Sequence, residues 1–121
     1  MKYLIHLWKA LGYSFQGLQD TTKYEVSFRM ELVLAFILVP TAIFLSVSVM
    51  SKVMLVSSVF LVLIVELVNS GIEASVNRIS SEQHYLSKRA KYAGSAAVFL
   101  SVVNLFIVWF LILFDLISKN L

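Results

Sequence analysis

Apolar and polar positions fall in blocks along this chain, and the block lengths predict its elements. In residues 2–19, Leu4, Leu7, Trp8, Leu11, Phe15 and Leu18 recur at helical spacing, with Lys2, His6 and Lys9 off that stripe. This pattern predicts an amphipathic helix lying in a membrane interface, apolar face in the lipid. Gly12 and Gly17 open the way to a break in it, and Asp20, Thr21 and Thr22 read as a linker. Three long apolar blocks follow, at 32–49, 53–72 and 93–114, with a short turn over 46–52 between the first two. Each block approximates the roughly 20 helical residues that cross a ~30 Å hydrocarbon core. Pro40 inside the first is tolerable in a membrane helix whose neighbours re-satisfy the freed backbone groups. The connection at 77–92 is polar. The expectation is one all-α membrane domain, a surface helix followed by three transmembrane helices.

Composition sharpens this picture. Of 121 residues, 60% are hydrophobic and 14% charged, against about 25% charged in an ordinary soluble domain. Lys52 is the only charge between residues 32 and 65, and there is none between 93 and 114. A soluble enzyme, a disordered chain and a nucleic-acid binder are all poor fits. With no cysteine, disulfides, thiolate metal sites and cysteine nucleophiles are excluded. No cleavable signal peptide is evident, because the first run of membrane length begins only after Arg29. The net charge of +3 orients loops and touches anionic lipid rather than nucleic acid. Lys2, Lys9, Lys23 and Arg29 precede the first span, and Arg78, Lys88, Arg89 and Lys91 sit between the second and third. Three spans bring these two groups to the same side. That side is then cytoplasmic, N-terminus included.

The chemistry concentrates at the end of the second span. Glu66, Asn69, Glu73 and Asn77 fall on one face of a helix. If Val53 marks the outer boundary, Glu66 lies about 20 Å in, Asn69 about 24 Å and Glu73 about 30 Å. Glu66 is thus just inside the hydrocarbon and Glu73 at its edge. A carboxylate at such a depth costs at least about 2.5 kcal/mol and marks function by default, the bland alternative being a hydrogen bond to a neighbouring helix. Glu25 and Lys91 reach the same cytoplasmic boundary from the first and third spans. Interfacial carboxylates are hard oxygen ligands suited to Mg²⁺, which keeps waters and substrate phosphate oxygens as its other ligands. Lys91 is placed to neutralise a phosphate, or to act as a positive-inside anchor. Gly12 and Gly17 have the spacing of a P-loop but lack its Lys and Ser/Thr, which Leu18 and Gln19 replace. His6 and His84 form no metal-spaced pair.

The stretch Glu66-Leu-Val-Asn69-Ser70-Gly-Ile72-Glu73-Ala-Ser-Val76 resembles the signature of the prokaryotic diacylglycerol kinase family, Glu-x-x-Asn-Ser/Thr-x-apolar-Glu-x-x-Val-Asp. The likeness continues from Glu82 to Val98 and covers Ala10 to Leu18 and Glu25 to Glu31. It implies a homotrimeric bacterial inner-membrane kinase that transfers the γ-phosphoryl of MgATP to diacylglycerol, giving phosphatidic acid. Carried over residue by residue, the resemblance makes Glu66 the general base, oriented by Asn69. Glu25 and Glu73 would hold the metal. Tyr13, Glu82, His84, Lys91 and Tyr92 would face ATP, with Lys91 on phosphate. Arg29, Glu31, Ser95 and Trp109 would line the lipid site. Asn77 stands where the signature has Asp, Gly71 where Ser or Ala is usual, and Tyr92 where an Asp usually follows the lysine.

Three alternatives stay open on the residues, one of them an interaction-only membrane protein whose polar face merely holds helices together. An undecaprenol kinase of the same family keeps the reaction and changes the lipid. A small ion-coupled transporter subunit would use Glu66 as a proton or cation carrier, although such proteins usually carry that glutamate in their first of four spans.

Overall fold

The computed structural model describes residues 1–79 and 84–121. Four α-helices follow one another: α1 (Lys2–Tyr24), α2 (Val26–Phe44), α3 (Val49–Ile79) and α4 (Tyr85–Lys119). The last three are each long and apolar enough to cross a membrane.

The surface helix runs further than the pattern of its apolar stripe suggests. No break occurs at Gly12 or Gly17, and the expected linker at Asp20 to Thr22 is helical. Local pairing explains this. Gln16 Nε2 donates to Asp20 Oδ1 at 2.9 Å, and Thr22 Oγ1 donates to the Leu18 carbonyl at 2.6 Å. The polar side chains therefore find partners within the helix instead of competing with it. No residue of α1 is buried, as expected of a helix whose apolar face meets lipid. Its last turn is held by Arg29, whose Nη1 donates to the carbonyls of Thr22 and Lys23, each at 2.9 Å. A guanidinium here satisfies carbonyls that the helix end leaves free and opposes the negative end of the helix dipole.

Pro40 lies inside α2 without ending it, and Thr41 Oγ1 donates to the Ile37 carbonyl at 2.7 Å in the same turn. The helix stops at Phe44, earlier than the apolar block does, because Leu45 turns extended. Ser48 then starts α3, its Oγ accepting from the Ser51 backbone N–H at 3.1 Å as an N-cap. With 31 residues, α3 spans about 46 Å, longer than the ~30 Å hydrocarbon core of a typical bilayer. Helix α4, with 35 residues, begins within the polar connection expected at 77–92.

α3 is the central helix. It packs against α2 on one side and α4 on the other, and the backbones of α2 and α4 do not approach each other among the described residues. Ala35, Ala42, Leu55, Val59 and Trp109 form the buried apolar core. Large side chains such as Phe36, Phe99, Phe106 and Phe110 point outward, an arrangement that suits a hydrocarbon solvent and would be costly in water.

Candidate functional site

The opposite end of the bundle is polar. Glu66 and Asn69, both on α3, are each only 8% exposed. Glu25 sits in the single extended residue between α1 and α2, and this break in the helix turns its side chain toward α3. There its Oε1 accepts a hydrogen bond from Ser70 Oγ at 3.1 Å. One helical turn beyond Asn69, Glu73 Oε1 accepts from Asn69 Nδ2 at 3.2 Å. Ser95 on α4 completes the wall of a cavity of about 250 Å³ shared with Glu25, Glu66, Asn69, Ser70 and Glu73. Three carboxylates, those of Glu25, Glu66 and Glu73, thus share the walls of one small cavity.

A second, larger cleft adjoins the first. It has a volume of about 790 Å³ and lies between α1 and the last turns of α3, with Gly17, Tyr24, Gly71 and Asn77 among its walls. Glu25, Ser70 and Glu73 line both cavities. Glu66 belongs only to the smaller one. The arrangement presents one buried carboxylate in the smaller cavity and two carboxylates shared by both cavities.

Among the described residues no three acidic or imidazole side chains are gathered closely enough to cage a metal ion. The donor set still fits Mg²⁺, which typically binds one or two carboxylates plus substrate phosphates and waters. Glu25 and Glu73 each have one carboxylate oxygen in a hydrogen bond to α3, an anchoring that orients the group and leaves its second oxygen for a ligand.

Of the residues singled out in the sequence, Glu25, Glu66, Asn69, Glu73 and Ser95 are brought together. Asn69 turns its amide nitrogen to Glu73 rather than to Glu66. Lys91 is exposed on the first turns of α4. The ion pair formed among the described residues joins Lys119 to Asp115 at 3.0 Å, at the other end of α4. Tyr92 faces a separate open cleft with Tyr85, Lys88 and Arg89. Tyr13 is exposed on α1 and lines neither cavity of the site. His84 caps α4, its Nδ1 accepting from the Leu86 backbone N–H at 3.1 Å. Arg29 is engaged with the end of α1. Glu31 rims a narrow apolar crevice between α2 and α4, and Trp109 lies in the apolar core. Glu82 lies outside the described residues. Ser70 and Gly94 were not singled out. Ser70 had a signal, since it lies inside the Asn69 to Glu73 motif, and Gly94 had a weaker one as a lone glycine within an apolar helix.

A small helical protein with three apolar helices and a carboxylate-lined cavity at one end of them fits the multi-pass membrane proteins. Residues 12–113 match the family model described as Prokaryotic diacylglycerol kinase. A diacylglycerol kinase of Haemophilus influenzae is 46% identical over 111 residues, covering 92% of this chain and 94% of the relative. One from Escherichia coli K12 is 47% identical over 107 residues, covering 88% of each. One from Pseudomonas aeruginosa is 42% identical over 104 residues, covering 86% of this chain and 85% of the relative. The chain belongs to the prokaryotic diacylglycerol kinase family.

Proposed function

We propose that this protein phosphorylates the free hydroxyl of diacylglycerol with ATP, giving phosphatidic acid at the cytoplasmic face of a bacterial inner membrane. The observation that carries the reading is the pair of adjoining cavities, with Glu66 in the smaller one and Glu25 and Glu73 shared by both. A lipid hydroxyl and a water-borne nucleotide must meet where two such spaces adjoin. The larger cleft, at about 790 Å³, is of a size that accommodates a nucleotide.

In this reading Glu66 takes the proton of the lipid hydroxyl as its oxygen attacks the γ-phosphorus and the bond to ADP breaks. Phosphoryl transfer asks the protein mainly for positioning and charge neutralisation. Glu25 and Glu73 would hold Mg²⁺, which supplies neutralisation of the phosphate charge when bound. Ser70 and Asn69 fix those two carboxylates, and burial on α3 keeps Glu66 away from bulk water. Lys91, exposed at the same boundary, is available to a phosphate oxygen. The placement of lysine and arginine supports a cytoplasmic N-terminus. Trimer formation is part of the proposal. A layer of three helices leaves much apolar and polar surface uncovered, and further copies are the partners that close it.

The test is direct. Purified protein is supplied with labelled ATP, Mg²⁺ and either diacylglycerol or undecaprenol. Mg²⁺-dependent label in phosphatidic acid is expected. Label confined to undecaprenyl phosphate, or ATP-independent ion flux in proteoliposomes with no lipid labelled, overturns the reading.

A further inference from the structure

Four glycines occur in the chain, and only one of them uses its missing side chain. A Cβ built at Gly12, Gly17 or Gly71 would have nothing within 4 Å. At Gly94 it would collide with Asn69 Oδ1 and lie 3.2 Å from Asn69 Cγ. Gly94 is buried on α4 at the point where that helix crosses α3. Asn69 Oδ1 is buried and accepts no conventional hydrogen bond, while Nδ2 of the same amide is committed to Glu73 Oε1. The carboxamide is therefore held at both ends. Its nitrogen is fixed by a carboxylate of the candidate site, and its oxygen lies against α4 in the notch that Gly94 leaves without a side chain.

We propose that Gly94 is a positioning residue for the reaction. The notch sets the direction of the Asn69 amide, and the amide in turn holds the Glu73 carboxylate toward the two cavities. The inference rests on the function proposed above, but its geometric core does not. Any side chain at position 94 must either push α4 away from α3 or turn the Asn69 amide off Glu73. A glycine in the interior of a helix is disfavoured by roughly 1 kcal/mol relative to alanine, so its presence at this point of contact is explained by the space it leaves.

The experiment is Gly94→Ala in the full chain in detergent, read in two ways. The first is the ¹⁵N side-chain amide signal of Asn69, assigned by its disappearance in Asn69→Ala. The second is phosphoryl transfer to diacylglycerol as a function of Mg²⁺. The amide signal is expected to shift. The rate is expected to fall by about 10- to 100-fold, the scale that a misplacement of about an ångström produces, together with a raised Mg²⁺ requirement. A merely structural glycine would lower the melting temperature without changing the Mg²⁺ requirement of the folded fraction. Should Gly94→Ala fold poorly, the double variant Asn69→Ala/Gly94→Ala carries the test, because its rate should match Asn69→Ala alone within about twofold if the two residues act as one unit. An unmoved amide signal, or full additivity of the two substitutions, overturns the proposal. Wild-type protein that transfers no phosphate to diacylglycerol overturns the functional reading instead, and the amide signal reports separately on the notch.

Discussion

Leu55 and Glu66 are both buried on α3, about three turns apart, yet their surroundings differ in kind. Around Leu55 the neighbours are Ala42, Val59 and Trp109, all apolar. Around Glu66 they are two more carboxylates, an amide and serines, gathered about a cavity of about 250 Å³. The first region has its groups packed, and the second gathers carboxylates around a cavity. Close packing is what stabilises helices against one another, and in a bilayer it does so without a hydrophobic driving force between them. Carboxylates gathered about a cavity depart from that packing and are expected where a ligand is bound. One helix thus serves as a packed beam at one end and as a wall of the candidate site at the other.

This contrast is open to attack by substitution. The largest effect is expected from Glu66→Gln. The amide preserves shape and hydrogen bonding and removes the base, so turnover should fall by about 10²- to 10⁴-fold, with the circular dichroism spectrum unchanged. Leu55→Ala addresses the other end. It should lower stability by about 2–5 kcal/mol, measured by reversible denaturation in detergent, with kcat of the folded fraction preserved. Glu73→Gln should come next. It removes charge from the boundary and weakens the anchor of Asn69, so the Mg²⁺ concentration for half-maximal rate should rise roughly tenfold or more. Ser58→Ala should matter least. Its hydroxyl is buried but already bonded to the Leu55 carbonyl at 2.7 Å on its own helix, so the change in stability should stay below about 1 kcal/mol.

The two regions were unequally legible in the sequence. Glu66 stood out because a lone acid in an apolar span has few explanations, and the one-face spacing of Asn69 and Glu73 followed from helical periodicity. Glu25, close before the first span in sequence, meets the same stretch of α3 through Ser70. What periodicity does not carry is the local capping that decides where helices end. Thr22 and Asp20 looked like linker residues, and their bonds within α1 keep that segment helical. Family likeness offers His84 and Arg29 as ligand contacts, and periodicity says nothing of the further bonds by which one caps α4 and the other holds the end of α1. Trp109 packs with the apolar core, a placement that depends on which helices meet at mid-span. Contacts between helices were the least visible of all. The Ser70–Glu25 bond links residues 45 positions apart, and the notch at Gly94 has meaning only against Asn69.

The most direct test of this division is turnover per folded molecule, measured in parallel for Glu66→Gln and Leu55→Ala with Mg²⁺, ATP and diacylglycerol. Glu66→Gln should keep the wild-type melting temperature and lose turnover, while Leu55→Ala should melt earlier and turn over normally once folded. Parallel loss of both properties in both variants, or normal turnover in Glu66→Gln, would contradict the account.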